Sequence, residues 1–361
     1  MKKHILLFFA FGLLLLVNFS RGQSSHAIVE LTSVKPFQNV RWKDLRKIEQ
    51  QLDSSMIKTF WLNESTVWPE KFKSYAKSVI EKGKNPGLGV RSLHKQGITG
   101  KGVTVAIIDQ NICLDHPEFA GKIIEYHDVG CDQDSNSSSM HGPAVTSILA
   151  GETIGTAPGV KLYYAAVPTW ELDARNEAKA LDWIIAKNST LSQDQKIKVV
   201  SISEAPSGPH TNFKNNCSAW DSAYARAVRA GILVLDCTES HGITTVCYND
   251  LDESDNIETY TPGYPGGGYK PDSTRLCVPV SHRTIAEEYS RDTCSYQYTG
   301  QGGLSWTVPY VAGICALGWQ INPHLSGDTM IRLLFESAFR KDHGIHIIQP
   351  IAFIELVKKT K

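Results

Sequence analysis

The chain has 361 residues, of which 42% are hydrophobic and 20% are charged, a composition that excludes disordered, collagen-like and coiled-coil proteins. Lysine plus arginine and aspartate plus glutamate each number 37, so bulk charge gives no reason to expect binding to nucleic acid or to an anionic membrane. The length allows one large α/β domain or two ordinary domains.

The first element is a short apolar run at residues 5–17, preceded by Lys2, Lys3 and His4. A transmembrane helix needs about 20 apolar residues, and this run is shorter. Together with the following Ser20-Arg21-Gly22 it has the layout of a secretory signal. We therefore expect residues 1–22 to be a signal peptide and the mature chain to be secreted or periplasmic, with an uncleaved anchor as the alternative.

Eight cysteines follow residue 22, and an oxidising compartment permits up to four disulfides among them. The close pairs Cys237/Cys247 and Cys277/Cys294 are candidate pairings. Cys315 lies in an apolar helical run, so we predict that it is a buried thiol. No two cysteines have the CxxC spacing of zinc or redox sites, which favours a structural role for all of them.

Residues 23–95 form a segment of mixed character. Helical spacing predicts helices over residues 42–56 and 72–82, and the glycine- and proline-containing stretch 82–87 is typical of a turn or linker. The segment is either a propeptide or an extension packed on the main domain, and the sequence leaves both open.

From Gly100 onward, short apolar runs alternate with helical stretches. The predicted strands cover residues 103–108, 162–167, 197–202 and 232–235, and the predicted helices cover residues 144–149, 174–186, 218–230 and 307–320. This alternation predicts an α/β fold, a doubly wound parallel sheet with helices on both faces. We assign residues 96–361 to this domain and expect its site at the carboxyl ends of the strands.

Three residues suited to nucleophilic catalysis lie at the ends of these elements. Asp109 ends the first strand, His141 opens a helix, and Ser305 follows two glycines before the helix at residue 307. A carboxylate can orient a histidine that acts as a general base, and a helix N-terminus favours a developing negative charge. Each residue alone is also explained as a turn, surface or capping residue, but the set of three indicates catalysis.

The sequence around these residues resembles the subtilisin-like serine peptidases, the subtilase superfamily. The matching stretches are residues 100–109, 115–119, 141–142 with 148–151, 155–158 and 303–313. The resemblance covers about residues 95–325 and implies a serine endopeptidase without a cofactor. It implies that Ser305 attacks the peptide carbonyl and forms an acyl-enzyme, that His141 transfers the proton, and that Asp109 orients the imidazole.

The chain departs from the family pattern where the family places an oxyanion-hole asparagine. After the strand at residues 231–235 it has Asp236-Cys237-Thr238-Glu239-Ser240 instead. The hydroxyls of Ser240 and Thr238 are the candidate donors beside the Ser305 N–H. Because losing one oxyanion donor costs about 10²–10³ in rate, we predict a slow or narrow peptidase. The alternatives are an inactive binding module on the same fold and a peptidase that acts on one partner only.

The strand that pairs with substrate in the family also differs. Here Ser203, Glu204 and Ala205 precede Pro206, which has no N–H to donate. Glu204 either selects a basic substrate side chain or faces solvent, and we favour solvent.

The sequence contains no metal-binding motif. Residues 250–256 alternate like a calcium loop, but Asp255 and Thr261 stand where an EF-hand needs glycine and glutamate. His343 and His346 have no further ligand nearby in the sequence. We expect no cofactor, with structural calcium left open, and a peptide or protein substrate. We expect no nucleic-acid partner, no membrane span in the mature chain, and a monomer.

Overall fold

The computed structural model describes residues 27–131, 138–263, 269–291 and 293–361. The predicted signal peptide lies outside the described residues. Within these ranges no helix is long and apolar enough to cross a membrane.

The described chain consists of short strands and helices that alternate through most of its length. The strands are β1 (Val29–Glu30), β2 (Lys43–Asp44), β3 (Trp61–Asn63), β4 (Thr104–Asp109), β5 (Ile123–Asp128), β6 (Lys161–Ala166), β7 (Ile197–Ile202), β8 (Leu233–Leu235), β9 (Thr244–Tyr248), β10 (Thr261–Pro262), β11 (Leu276–Pro279), β12 (Arg283–Glu287), β13 (Ser295–Thr299), β14 (Phe339–Lys341) and β15 (Ile345–Ile347). The helices are α1 (Ser54–Thr59), α2 (Glu70–Gly83), α3 (Val90–Lys95), α4 (His141–Ala150), α5 (Ala174–Thr190), α6 (Cys217–Arg229), α7 (Thr307–Ile321), α8 (Gly327–Ser337) and α9 (Pro350–Lys359).

The central sheet has the strand order β5-β6-β4-β7-β8, and every neighbouring pair in it is parallel. Side chains of β4 alternate between two cores, as the period of a strand requires. Val105 and Ile107 join the core that contains α4 and α7, whereas Ala106 and Ile108 join the core that contains α5 and α6. Helices therefore cover both faces, which confirms the predicted fold class.

The four predicted strands correspond to β4, β6, β7 and β8, and the four predicted helices correspond to α4, α5, α6 and α7. Strand β5, the strands after β8 and helices α8 and α9 were not predicted from the sequence. Strand β5 is a half-buried edge strand, so it lacks the continuous apolar run that marks its neighbours.

Residues 27–95 pack against the rest of the described chain. Strand β3 pairs antiparallel with β13 and completes the sheet β12-β13-β3. The core of this segment, which includes Phe60 and Leu62, also contains Tyr298 of β13. A buried ion pair joins Arg41 Nη1 to Glu287 Oε1 at 3.0 Å. The segment thus shares a sheet, a core and a buried ion pair with the α/β domain.

The helix predicted over residues 42–56 is wrong, whereas the helix predicted over residues 72–82 is confirmed as α2. Strand β2 and a 3-10 turn, Arg46–Gln51, occupy most of the first range. The carboxylate of Asp53 then accepts a hydrogen bond from Met56 N at 2.8 Å and starts the short helix α1. Apolar residues spaced three apart suit a 3-10 turn as well as an α-helix, which explains the error.

The two candidate disulfides do not form. Cys237, Cys247 and Cys277 are buried free thiols, so neither Cys237/Cys247 nor Cys277/Cys294 is a pair. Cys237 follows β8 of the central sheet while Cys247 lies in β9 of another sheet, and closeness in sequence does not bring them together. The prediction that Cys315 is a buried thiol is confirmed.

Candidate active site

Asp109 and His141 meet at the carboxyl end of the central sheet. Asp109 is the last residue of β4 and is fully buried, and His141 is the first residue of α4. His141 Nδ1 lies 2.8 Å from Asp109 Oδ1, which also accepts a hydrogen bond from Gln110 N at 2.8 Å. Because the carboxylate holds Nδ1, the other ring nitrogen, Nε2, is the one available to accept a proton from a nucleophile.

A glycine after His141 allows the start of α4 to lie close to the loop that follows β4. A Cβ at Gly142 would lie 2.4 Å from Gln110 O, so a larger residue would push α4 away from the loop that follows β4. The same carbonyl accepts a hydrogen bond from Tyr164 OH of β6, and Gly142 N donates to Ser139 Oγ at 3.0 Å. These contacts fix the start of α4 against the end of β4.

The environment of His141 favours its protonated form. Burial lowers the pKa of His141, but the charge of Asp109 and the hydrogen bond to it raise this pKa, and the net result is above the ordinary value of 6.5. The Trp306 ring, with its centroid 5.7 Å from that of His141, covers the imidazole and is itself buried. A histidine in this setting can hold a proton taken from a nucleophile.

Ser305 lies in the 3-10 turn Leu304–Trp306 that leads into α7. Its Oγ donates a hydrogen bond to Ser203 O at 3.2 Å, and Ser203 Oγ donates to Ser305 O at 2.9 Å. Ser203 directly follows β7, which is the neighbour of β4 in the sheet. The structure therefore brings the turn of Ser305 to the same edge of the sheet as Asp109, with the Ser305 hydroxyl bonded to Ser203.

The model of the Subtilase family matches residues 100–238. The subtilisin-like protease PopC of Myxococcus xanthus is 28% identical over 261 residues, which are 63% of this chain and 54% of that protein. The serine protease AprX of Bacillus subtilis is 26% identical over 298 residues, 72% of this chain and 64% of that protein. The chain is therefore similar to the Subtilase family over these residues. It spans about half to two thirds of the length of these two curated relatives.

Solved structures agree with the fold of this chain. The crystal structure of a cold adapted subtilisin-like serine proteinase superposes with a TM-score of 0.52 at 21% identity, covering 69% of this chain and 89% of that one. Likeness at this identity concerns the fold, which is the α/β arrangement of the described strands and helices.

One candidate oxyanion donor predicted from the sequence is already engaged. Thr238 is fully buried, and its Oγ1 donates to Asp236 Oδ1 at 2.7 Å. A hydroxyl has a single proton, so the Thr238 hydroxyl has none left for an oxyanion, contrary to our expectation. Ser240 is exposed, and the N–H of Ser305 begins a helical turn, where no intrahelical acceptor exists.

The substrate strand predicted from the sequence has its carbonyl groups occupied within the chain. Ser203 O accepts from the Ser305 hydroxyl, Glu204 O accepts from Cys237 N at 2.8 Å, and Ala205 O accepts from the hydroxyl of Thr211. A peptide that pairs with this strand must therefore share these carbonyl oxygens with their internal donors or replace those hydrogen bonds.

The expectation that the Glu204 side chain faces solvent is wrong. Its Oε2 is buried, with no hydrogen-bond partner among the described residues. Glu204 lies two residues after Ile202 and so shares its face of the sheet, toward α5, where the fully buried Glu177 lies. Burial and the negative charges of Glu177 and Asp109 hold the pKa of Glu204 well above its ordinary value.

The structure contains a second aspartate–histidine pair that was not predicted from the sequence. Asp236 directly follows β8 and is buried, and His241 Nδ1 lies 3.6 Å from Asp236 Oδ2. The His241 ring stacks on Tyr224 with centroids 3.9 Å apart. The nearby carboxylate of Asp236 raises the pKa of His241 despite partial burial. An aspartate immediately after a buried strand was the available signal, as at Asp109.

Proposed function

We propose that the chain is a serine endopeptidase in which Ser305 is the nucleophile, His141 the general base and Asp109 the orienting carboxylate. The observation that carries this proposal is the 2.8 Å hydrogen bond between His141 Nδ1 and the fully buried Asp109, at the carboxyl end of the central strand. Similarity to the Subtilase family and to curated subtilisin-like proteases supports the same chemistry.

In the proposed reaction the Ser305 hydroxyl exchanges its bond to Ser203 O for one to His141 Nε2 when a peptide binds. Oγ then attacks the scissile carbonyl while His141 takes the proton, and Asp109 stabilises the imidazolium. His141 returns the proton to the leaving amine, which leaves an acyl group on Ser305. Water, deprotonated by His141, releases the acyl group in the second half.

The N–H of Ser305 donates a hydrogen bond to the negative oxygen of the proposed tetrahedral intermediate, and the Ser240 hydroxyl is the candidate second donor. With Thr238 bonded to Asp236, the hole depends on fewer side-chain donors than our sequence prediction allowed. A missing donor lowers the rate by about 10²–10³, so we propose a slow or narrow peptidase.

Labelling with a fluorophosphonate probe tests the proposal directly, because the probe reacts with an activated serine. The wild-type chain should be labelled, and Ser305→Ala should abolish labelling. Ser222→Ala is the matched control, since Ser222 is an exposed serine on α6 and labelling should persist. A folded wild-type chain that takes no label would overturn the proposal and favour the binding-module alternative.

We also propose that the chain is exported as a monomer and that residues 27–95 stay attached to the mature enzyme. The pairing of β3 with β13 and the buried Arg41–Glu287 ion pair support retention. N-terminal sequencing of the exported protein should give a start near residue 23. A start near residue 96 in an active, folded product would refute retention.

A further inference from the structure

A cluster of thiol and carboxylate groups lies between the loop after β4 and the segment after β12. The Sγ of Cys113 and carboxylate oxygens of Asp115 and Glu288 all lie within 4.8 Å of one another. Cys294 Sγ is 3.4 Å from Glu288 Oε1. Three side chains of types that ligate metals thus converge from two distant parts of the chain, and the Cys294 thiol lies beside one of them, Glu288.

Glu288 gives an independent indication that the cluster holds a cation. Its side chain is fully buried, and its Oε2 has no hydrogen-bond partner in the part of the chain that the structure describes. Burying a carboxylate without a partner or a compensating charge is costly. The ion pair that Arg291 forms in the described chain is with Asp115, with Nε 3.9 Å from Asp115 Oδ2, rather than with the buried Glu288.

We propose that Cys113, Asp115, Glu288 and Cys294 bind a structural zinc ion. Two thiolates and two carboxylate oxygens form a tetrahedral set, and thiolate ligands favour zinc over calcium, which takes six to eight oxygens. Zn–S bonds of about 2.3 Å and Zn–O bonds of about 2.0–2.2 Å place tetrahedral ligands about 3.3–3.8 Å apart.

The observed geometry is close to that requirement. The 3.4 Å between Cys294 Sγ and Glu288 Oε1 is already within the range. The ligand atoms of Cys113, Asp115 and Glu288 lie within 4.8 Å of one another and need to move together by roughly 1 Å. Asp115 is half exposed, which gives an ion a path from solvent. The sequence contained no signal for this site because its ligands are far apart in the chain and have no CxxC spacing.

The proposed ion would fasten the loop that follows Asp109 to the end of β12. It has four protein ligands and no open position, so its role is to hold structure rather than to activate water. Removing the ion should lower the melting temperature of the chain, and this measurement does not depend on peptide hydrolysis.

The experiment uses the full mature chain, purified under reducing conditions and passed over a chelating resin. Zinc is added back and counted by mass spectrometry of the metal, and cobalt replaces zinc to report thiolate ligation by its charge-transfer absorption. We expect one zinc per chain, a thiolate–cobalt band and a rise in melting temperature on loading.

Variants identify the ligands. Glu288→Gln and Cys294→Ser should weaken zinc binding by at least about tenfold. Asp115→Asn changes an exposed group and keeps the proposal testable if a buried variant fails to fold. Cys217→Ser is the matched control, because Cys217 is a half-buried thiol on α6 outside the cluster and zinc binding should be unchanged.

Three results would overturn the proposal: a folded wild-type chain without stoichiometric zinc, binding of calcium but not zinc, and zinc binding that persists in Glu288→Gln, Cys294→Ser and Asp115→Asn alike. Peptide mapping of the exported, unreduced protein adds a fourth, since a disulfide between Cys113 and Cys294 would remove both thiolate ligands.

Discussion

Replacement of Arg41 by alanine tests whether residues 27–95 are part of the folded enzyme. The Arg41 side chain is 5% exposed, and its Nη1 donates to Glu287 Oε1 at 3.0 Å and to Gln297 Oε1 at 2.6 Å. Its guanidinium carbon also lies 4.0 Å from the centroid of the Trp61 ring. These contacts join the N-terminal segment to β12 and β13.

The expected loss of stability follows from the carboxylate that the substitution leaves behind. Glu287 is 2% exposed, and removing one partner of a buried ion pair costs about 3–5 kcal/mol. Glu287 keeps hydrogen bonds from Asn63 Nδ2 at 2.8 Å and Ser295 Oγ at 3.0 Å, which places the expected cost at the lower end, about 3 kcal/mol.

Urea unfolding followed by tryptophan fluorescence and by circular dichroism measures this loss. Both probes should report one cooperative transition at lower urea in Arg41→Ala than in the wild type. Arg46→Ala is the control, because Arg46 is an exposed side chain of the same segment that pairs with Asp44, and its loss should have little effect. Equal stability of the two variants, or a separate early transition of the segment, would refute the reasoning.

Two further substitutions test the charges near the candidate site. Asp109→Asn removes the charge that raises the pKa of His141 and leaves the burial that lowers it. The acid limb of the pH profile of fluorophosphonate labelling should therefore move to lower pH, and labelling should slow by about 10⁴. An acid limb that does not move would contradict this. Burial first, and then nearby carboxylates, raise the pKa of Glu177 to about 8, so its protonated form is favoured in the folded chain. Stability from this group is present below its unfolded pKa and is lost at up to about 1.4 kcal/mol per pH unit as the pH rises from 4.5 to about 8. Glu177→Gln should therefore raise the urea midpoint at pH 8 and leave it nearly unchanged at pH 4.5; equal effects at both pH values would contradict this.

The central sheet was predictable because its signals are local. A buried parallel strand is a continuous apolar run, and Asp109 at the end of β4 and His141 at the start of α4 are each defined by the element that they end or begin. The pairing of β3 with β13 was not predictable, because it depends on contacts between residues more than 200 positions apart.

Side-chain direction was the main cause of error at the candidate site. The sequence placed Thr238 and Glu204 near the right edge of the sheet, but it did not show that the Thr238 hydroxyl bonds to Asp236 or that Glu204 turns inward toward Glu177. Both outcomes depend on which buried polar groups lie across from each side chain, and those groups come from other elements.

The loop after β4 connects these findings. Its first residue, Gln110, accepts hydrogen bonds at its carbonyl from Tyr164 and donates from its side chain to Thr169 at 2.7 Å, while the close approach of Gly142 keeps His141 beside Asp109. The position of the imidazole therefore depends on the path of a few residues of this loop. The proposed zinc ion would hold the far end of the same loop, so loss of the ion should disturb the His141–Asp109 hydrogen bond as well as the melting temperature. A shift in the pH dependence of fluorophosphonate labelling after zinc removal would show that coupling, and an unchanged profile would show that Gln110 and Gly142 suffice to hold the pair.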